Sequence, residues 1–202
     1  GSSSYSPGKV PGITHCNPVT YPPEIIFPTP TCAGDATRSG SKKDGWVISP
    51  GNMDGDWIEK DTVTLEPGIY CIDGNSTINA GTLLTGNGVL LYYMNGWMHI
   101  NGGAEVHLTA MNSGDYAGLL IYQPLTNANS IILNGNSVST FTGTILAPAS
   151  EVQINGTSNN DAYHTQVIGF TIDLIGTMST TVVYNNGENY DATVPPMLEI
   201  TR

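Results

Sequence analysis

An apolar residue followed by Asn and a glycine-bearing turn recurs along this chain, and that recurrence limits the fold more than any other feature. Ile78-Asn79-Ala80-Gly81, Ile100-Asn101-Gly102-Gly103, Leu133-Asn134-Gly135-Asn136 and Ile154-Asn155-Gly156-Thr157 share it. Leu174-Ile175-Gly176-Thr177 is a weaker fifth copy. Successive copies lie 22, 33, 21 and 20 residues apart. A nearly constant interval, lengthened once by about half a coil, is what a β-solenoid leaves in a sequence. Between the copies, short β-branched or aromatic runs alternate with Gly/Asn turns, residues that accept positive φ at corners.

Stacked coils pair every strand with the copies above and below it, so apolar residues line a continuous interior. The composition agrees: 24 Gly, 13 Pro and 11% charged residues mark a turn-rich all-β chain, and 39% apolar residues are enough for a core. A length of 202 residues suits one domain. The fold expected is a right-handed parallel β-helix of about five or six coils. A jelly roll is the alternative, because periodicity over so few copies fits both.

Residues 1–61 differ from the rest. Pro22, Pro23, Pro28 and Pro30 break regular structure, and Tyr21 to Phe27 reads as an extended strip packed on a surface. Turns at Lys43-Asp44-Gly45, Pro50-Gly51 and Asp54-Gly55 then punctuate the runs Trp46-Val47-Ile48 and Trp57-Ile58. This segment is expected to pack on or cap a solenoid domain spanning 62–202, with regular structure beginning near Thr62. Val89-Leu90-Leu91-Tyr92, Leu119-Leu120-Ile121-Tyr122 and Thr144-Ile145-Leu146-Ala147 are apolar in succession. A strand with one wet face alternates more cleanly, so these runs are expected to lie under the N-terminal strip.

The net charge is −11, and its distribution is lopsided. Lys9, Arg38, Lys42, Lys43 and Lys60 precede residue 61, and the sixth cation is Arg202. Residues 61–201 hold eleven acids and no Lys or Arg, which argues against nucleic acid and against an anionic membrane surface as partners. No stretch resembles a signal peptide or a membrane span, so membrane insertion by this fragment is not expected. Gly1-Ser2-Ser3-Ser4 reads as a scar of expression, and an N-terminal membrane anchor is expected to have been removed.

Cys16, Cys32 and Cys71 form no zinc-spaced cluster. In a chain of exported character they read as one disulfide and one leftover thiol. Cys32 with Cys71 is the expected pair, tying the N-terminal segment to the first strong strand, although spacing alone does not fix connectivity.

Residues that carry chemistry are sparse. A polysaccharide lyase needs a tuned base and a cation for the uronate, and the repeat region has no Lys or Arg. Inverting hydrolysis needs two carboxylates roughly 6.5–9.5 Å apart. The acids are scattered singly, with Asp54 and Asp56 the one close pair, so no catalytic residue is expected. Asn52, Asp54 and Asp56 are oxygen donors with the character, but not the full spacing, of a calcium loop, and Asn159-Asn160-Asp161 is a second oxygen-rich turn. Calcium is the one cofactor these candidates suggest.

Tyr92, Tyr93, Trp97, Tyr116 and Tyr122 are candidates for an aromatic platform facing sugars or a protein, or else for solenoid packing. His99 and His107 are candidates to approach across neighbouring strands, but an imidazole on the solvent face is the reading favoured for each. Asn101, Asn134, Asn136 and Asn155 are candidates for stacked Asn ladders. Thr62, Thr64, Thr109, Thr142 and Thr144 are candidates for a flat threonine face of the ice-binding kind, although no Thr-x-Thr recurs at coil spacing. Asn75-Ser76-Thr77 and Asn155-Gly156-Thr157 match the glycosylation sequon.

Several stretches resemble one family. Ser113-Gly114-Asp115-Tyr116-Ala117-Gly118-Leu119-Leu120-Ile121-Tyr122 is similar to a run in the C-terminal β-helical region of bacterial TadG-like pilus-assembly proteins. Phe141-Thr142-Gly143-Thr144-Ile145-Leu146-Ala147-Pro148-Ala149-Ser150 and Gln166-Val167-Ile168-Gly169 follow in the expected order. Pro67-Gly68-Ile69-Tyr70-Cys71 and Val194-Pro195-Pro196 fit as well. The resemblance covers about two-thirds of the chain and implies an extracellular or cell-surface location, no enzyme activity and a link to tight-adherence pili or surface adhesion. The partners it implies are other pilus or envelope proteins, with surface polysaccharide the alternative.

Overall fold

The structure, a computed structural model, describes residues 27–57, 61–134, 138–155, 163–175 and 187–191. It is all-β, with no helix among the described residues. Fourteen strands form a β-solenoid: β1 Arg38–Ser41, β2 Gly45–Ile48, β3 Gly51–Asp54, β4 Thr62–Leu65, β5 Gly68–Asp73, β6 Ser76–Ile78 and β7 Leu83–Asn87 come first. β8 Val89–Asn95, β9 Met98–Ile100, β10 Glu105–Thr109, β11 Leu119–Tyr122, β12 Ile131–Asn134, β13 Thr140–Asn155 and β14 Tyr163–Ile175 complete it.

The strands sort into three parallel faces. β2, β4, β7 and β10 stack on the first face, followed by the starts of β13 and β14. On the second face β3, β5, β8 and β11 lead to the middle of the same two long strands. The third face runs β6, β9, β12 and the ends of β13 and β14. Each long strand thus follows a whole coil.

The repeat seen in the sequence is one column of this third face. Ile78 pairs with Ile100, Ile100 with Leu133, Leu133 with Ile154, and Ile154 with Leu174. The first four of these side chains are buried in the main core beside Val63, Leu84, Val106 and Phe141. One position further on, the Asn101 amide donates to Asn79 Oδ1 at 3.0 Å, and the Asn155 amide donates to Asn134 Oδ1. These Asn residues therefore form the ladder rungs expected of them; Asn136 lies outside the described residues. Satisfying each amide with its neighbour's carbonyl lets the same turn repeat without stranding a polar group.

The long interval is a coil enlarged at two corners. The links between β10 and β11 and between β11 and β12 are longer than their counterparts one coil earlier. The second link is closed by buried polar groups. Ser150 Oγ donates to Gln123 Oε1 at 2.7 Å, and the Asn127 amide donates to the carbonyls of Tyr93 and Gly96, each at 3.0 Å. Gly96, at φ +81°, lies against the Gly74 backbone one coil below, where a Cβ would collide with the chain.

Regular structure starts earlier than Thr62. Trp46 and Ile48 of β2 pair in parallel with Val63 and Leu65, and β3 pairs with β5. The turns at Gly45 and Gly51 are corners of a first partial coil, because Trp46 and Ile48 supply the inward apolar pair that a coil needs. Its cap is β1, the one antiparallel partner among the described strands. The Arg38 guanidinium lies 3.8 Å over the Trp46 ring, and Trp46 Nε1 donates to Asp61 at 3.1 Å.

A second apolar layer covers the outside of the second face. Leu90, Leu119, Tyr122 and Leu146 are buried there against Phe27, Ile69, Tyr92, Met111, Tyr116 and Tyr190. The successive apolar runs are thus apolar on both sides because both sides are packed. Of the N-terminal strip only Phe27 is described, and it packs in this layer beside Met111 and Tyr116 of the enlarged coil and Tyr190. Cys32 and Cys71 form the expected disulfide; Cys16 lies outside the described residues.

Candidate functional site

A groove of about 610 Å3 lies at the N-terminal end of the second face. Asp35, Arg38, Asn52, Asp54, Trp57 and Asp73 line it together with Met53 and Met94. Its geometry follows from the strand register. Asn52 and Asp54 alternate to the same side of β3, and Asp54 lies beside Asp73 of β5 at the spacing of neighbouring strands. Asp35 is set opposite Asn52 by an isolated parallel bridge. The Asn52 side-chain amide donates to the Gly34 carbonyl at 2.7 Å, fixing that wall. Trp57 is held by its Nε1, which donates to Ser76 Oγ at 3.0 Å.

Three carboxylates, a guanidinium, an indole and two thioethers make a mixed lining that can hydrogen-bond a hydroxylated ligand and stack against its flat face. The sequence alone paired Asp54 with Asp56. The fold pairs it instead with Asp73, because the Gly55 turn separates Asp56 from the strand. Only the repeat interval could have signalled this, since Asp73 stands about one coil beyond Asp54.

The calcium candidates divide accordingly. Asn52 and Asp54 line the groove, whereas Asp56 is not part of its lining. Among the described residues, no three His, Cys, Asp or Glu side chains are grouped to hold a metal ion. Asn159, Asn160 and Asp161 lie outside the described residues.

Three aromatic candidates come together, with Tyr122 buried and Tyr92 and Tyr116 half-buried over it. Tyr92 and Tyr122 stack with ring centroids 5.2 Å apart and planes 13° apart, in the outer layer that also holds Tyr116. Burial pushes both Tyr92 and Tyr122 phenols above the usual tyrosine range, with neighbouring phenols adding to it. Tyr93 points the other way, into the main core. Trp97 stands apart, at the start of the third face, stacked on His99 with centroids 5.2 Å apart.

The histidines do not meet. His99 lies on β9 of the third face and His107 on β10 of the first. Burial lowers the His99 imidazole below its usual range, and its Nε2 sits 3.3 Å from Ser130 Oγ. His107 Nε2 lies 2.9 Å from Glu105 and its Nδ1 2.9 Å from Thr140.

Of the threonine set, Thr62, Thr64, Thr109 and Thr142 lie on the first face, while Thr144 is buried. Two of these hydroxyls are engaged locally, Thr64 with Thr85 at 3.1 Å and Thr109 with Asn87 at 2.6 Å. Asn75 of the first sequon is exposed and its carbonyl accepts the Trp97 N–H at 3.3 Å. Gly156 and Thr157 of the second lie outside the described residues.

Fold and disulfide together define a three-faced β-solenoid whose outer aromatic layer is pinned by a covalent tie. The chain matches no family model, no curated protein and no solved structure.

Proposed function

We propose that this chain is a non-catalytic structural or interaction module of the bacterial cell surface, associated with Tad-type pilus assembly or adhesion. The observation that carries the reading is the packing of the Tyr92–Tyr122 stack into one apolar layer with Phe27, Met111 and Tyr190, in which Tyr122 is buried and Tyr92 half-buried. Aromatic residues of the kind that bind ligands pack against one another here and thicken the second face. The ladder of Asn side chains does the same for the polar edge of the third face. The Cys32–Cys71 disulfide supports an oxidising location such as the cell exterior. The TadG-like runs around Tyr116–Tyr122 and Phe141–Ser150 support the link to pili.

Mass spectrometry of filaments sheared from the source cells, beside the stripped envelope, tests this reading. The chain is expected with the filaments at a fixed ratio to pilin, or in the envelope if it serves the assembly base. Recovery only from the medium overturns the association.

The acid-rimmed groove favours a second reading, polysaccharide binding. Affinity electrophoresis through surface polysaccharides distinguishes it: retardation abolished by Trp57→Ala and Asp73→Asn places a glycan in the groove, and unretarded migration through every polymer rejects it.

A further inference from the structure

The first face carries a polar constellation that core packing does not require. Val106 and Leu108 of β10 and Phe141 of β13 are buried in the main core, so Glu105, His107 and Thr140 alternate to the outside. His107 and Thr140 are direct neighbours in the parallel ladder. The His107 ring lies between two partners, with Nδ1 2.9 Å from Thr140 Oγ1 and Nε2 2.9 Å from Glu105 Oε1. An ionised carboxylate only accepts, so Nε2 carries the proton and Nδ1 is left to accept the threonine O–H. Hydroxyl, imidazole and carboxylate in that order activate a weak alcohol nucleophile. The base reaches the O–H, and a third group orients the base.

The surroundings fit an acceptor of acyl groups. His107 and Thr140 line a shallow groove of about 400 Å3 with Pro67, Thr85, Asn87 and Thr109, and Thr140 is exposed. Residues 61–201 contain no Lys, so no amine of the repeat region competes with that hydroxyl. His99 is the internal contrast. It also reaches a hydroxyl, Ser130 Oγ at 3.3 Å, but it stacks on Trp97 and has no carboxylate partner among the described residues. The groove at Thr140 is open to water, so a developing oxyanion meets solvent and not the preorganised donors of a closed site. The donor must therefore bring its own reactivity, as an aryl ester or thioester does. For the same reason an acyl group, once on threonine, leaves slowly.

We propose that Thr140 is a covalent acceptor site for an activated acyl group, with His107 as its general base and Glu105 as the positioning residue. Thr140 Oγ attacks the acyl carbon while its proton passes to His107 Nδ1. The bond from that carbon to the leaving oxygen or sulfur then breaks, and the leaving group takes the proton from His107. An ester remains on Thr140, and the imidazole is neutral again. The outcome is a single modification of the surface and not a turnover, so the site is compatible with a structural role.

Incubation of the disulfide-intact chain with p-nitrophenyl acetate near pH 8, where an ordinary imidazole is neutral, followed by peptide mass spectrometry, tests this. Acetylation of Thr140 is expected to approach one group per chain, well ahead of Ser130 and of the exposed Thr62 and Thr64. His107→Gln is expected to slow it by about a hundredfold, the general-base contribution. Glu105→Gln is expected to slow it by about tenfold through loss of the neighbouring charge. Both variants keep a hydrogen-bonding side chain and are expected to melt like the parent, so a purely structural role leaves the rate unmoved. Thr140→Ser is expected to be acetylated at least as fast. An absence of acetyl-Thr140 in the parent overturns the proposal. So does acetylation of Thr140 no faster than that of Thr64, or an equal rate in His107→Gln, since either makes the hydroxyl an ordinary one. An equal rate in Glu105→Gln overturns the positioning role.

Discussion

Ile100 and Leu133 are direct neighbours in adjacent coils, although 33 residues separate them in the chain. The extra residues of that interval leave the core as two enlarged corners, and the register of the column is undisturbed. Leu133→Ala should therefore cost about 2–5 kcal/mol, as for any fully buried leucine. Ile132→Ala, one residue away on the outward side, should cost well under half as much. Urea unfolding of the two variants checks the register, and equal losses would contradict it.

The Cys32–Cys71 bond closes a loop with a sequence separation of 39. Chain entropy gives such a cross-link about 4 kcal/mol. Reduction, or Cys32→Ser, should lower the melting temperature and also loosen the outer layer against Ile69, next to which Cys32 is anchored. Melting curves with and without reductant give the first effect. Faster proteolysis near Phe27 gives the second.

Tyr122 separates packing from recognition. If its stack with Tyr92 is core, Tyr122→Ala should destabilise the fold by about 3–5 kcal/mol, and Tyr122→Phe should be nearly neutral. If the pair is a binding platform, both variants would fold like the parent and lose ligand. Thermal denaturation decides between these outcomes.

His99 gives the chain a pH response of known sign. Burial beside Trp97 depresses its imidazole, so the folded state resists a proton that the unfolded chain accepts near pH 6.5. The stability tied to neutral His99 is complete above that range and declines as pH falls through it towards the lower folded value. Stability measured from pH 8 to pH 5 should fall less steeply in His99→Gln. Parallel curves for the two proteins would assign the dependence to other groups.

Much of the fold was legible without coordinates. The Ile/Leu-Asn-Gly recurrence identified the solenoid, and all five of its copies occupy one column. The Asn rungs, the Cys32–Cys71 pair and the need to cover the Leu119–Tyr122 run were readable as well. These features depend on strand alternation and on a period, and both are local properties of the chain. The groove was not legible, because Asp35, Asp54 and Asp73 converge only once the coils are in register. Nor was the first partial coil, whose frequent turns read as a cap although Trp46 and Ile48 pair in register with Val63 and Leu65.

The sequence by itself determined that this chain stacks as a solenoid and which residues face inward, since an apolar residue repeated once per coil has one dry place to go. The tertiary structure alone decided that Tyr122 is buried in an outer aromatic layer, that Asp54 faces Asp73 and that Leu174, an interior residue by its column, is exposed. Those outcomes depend on what lies above and below each coil, and no local pattern encodes that.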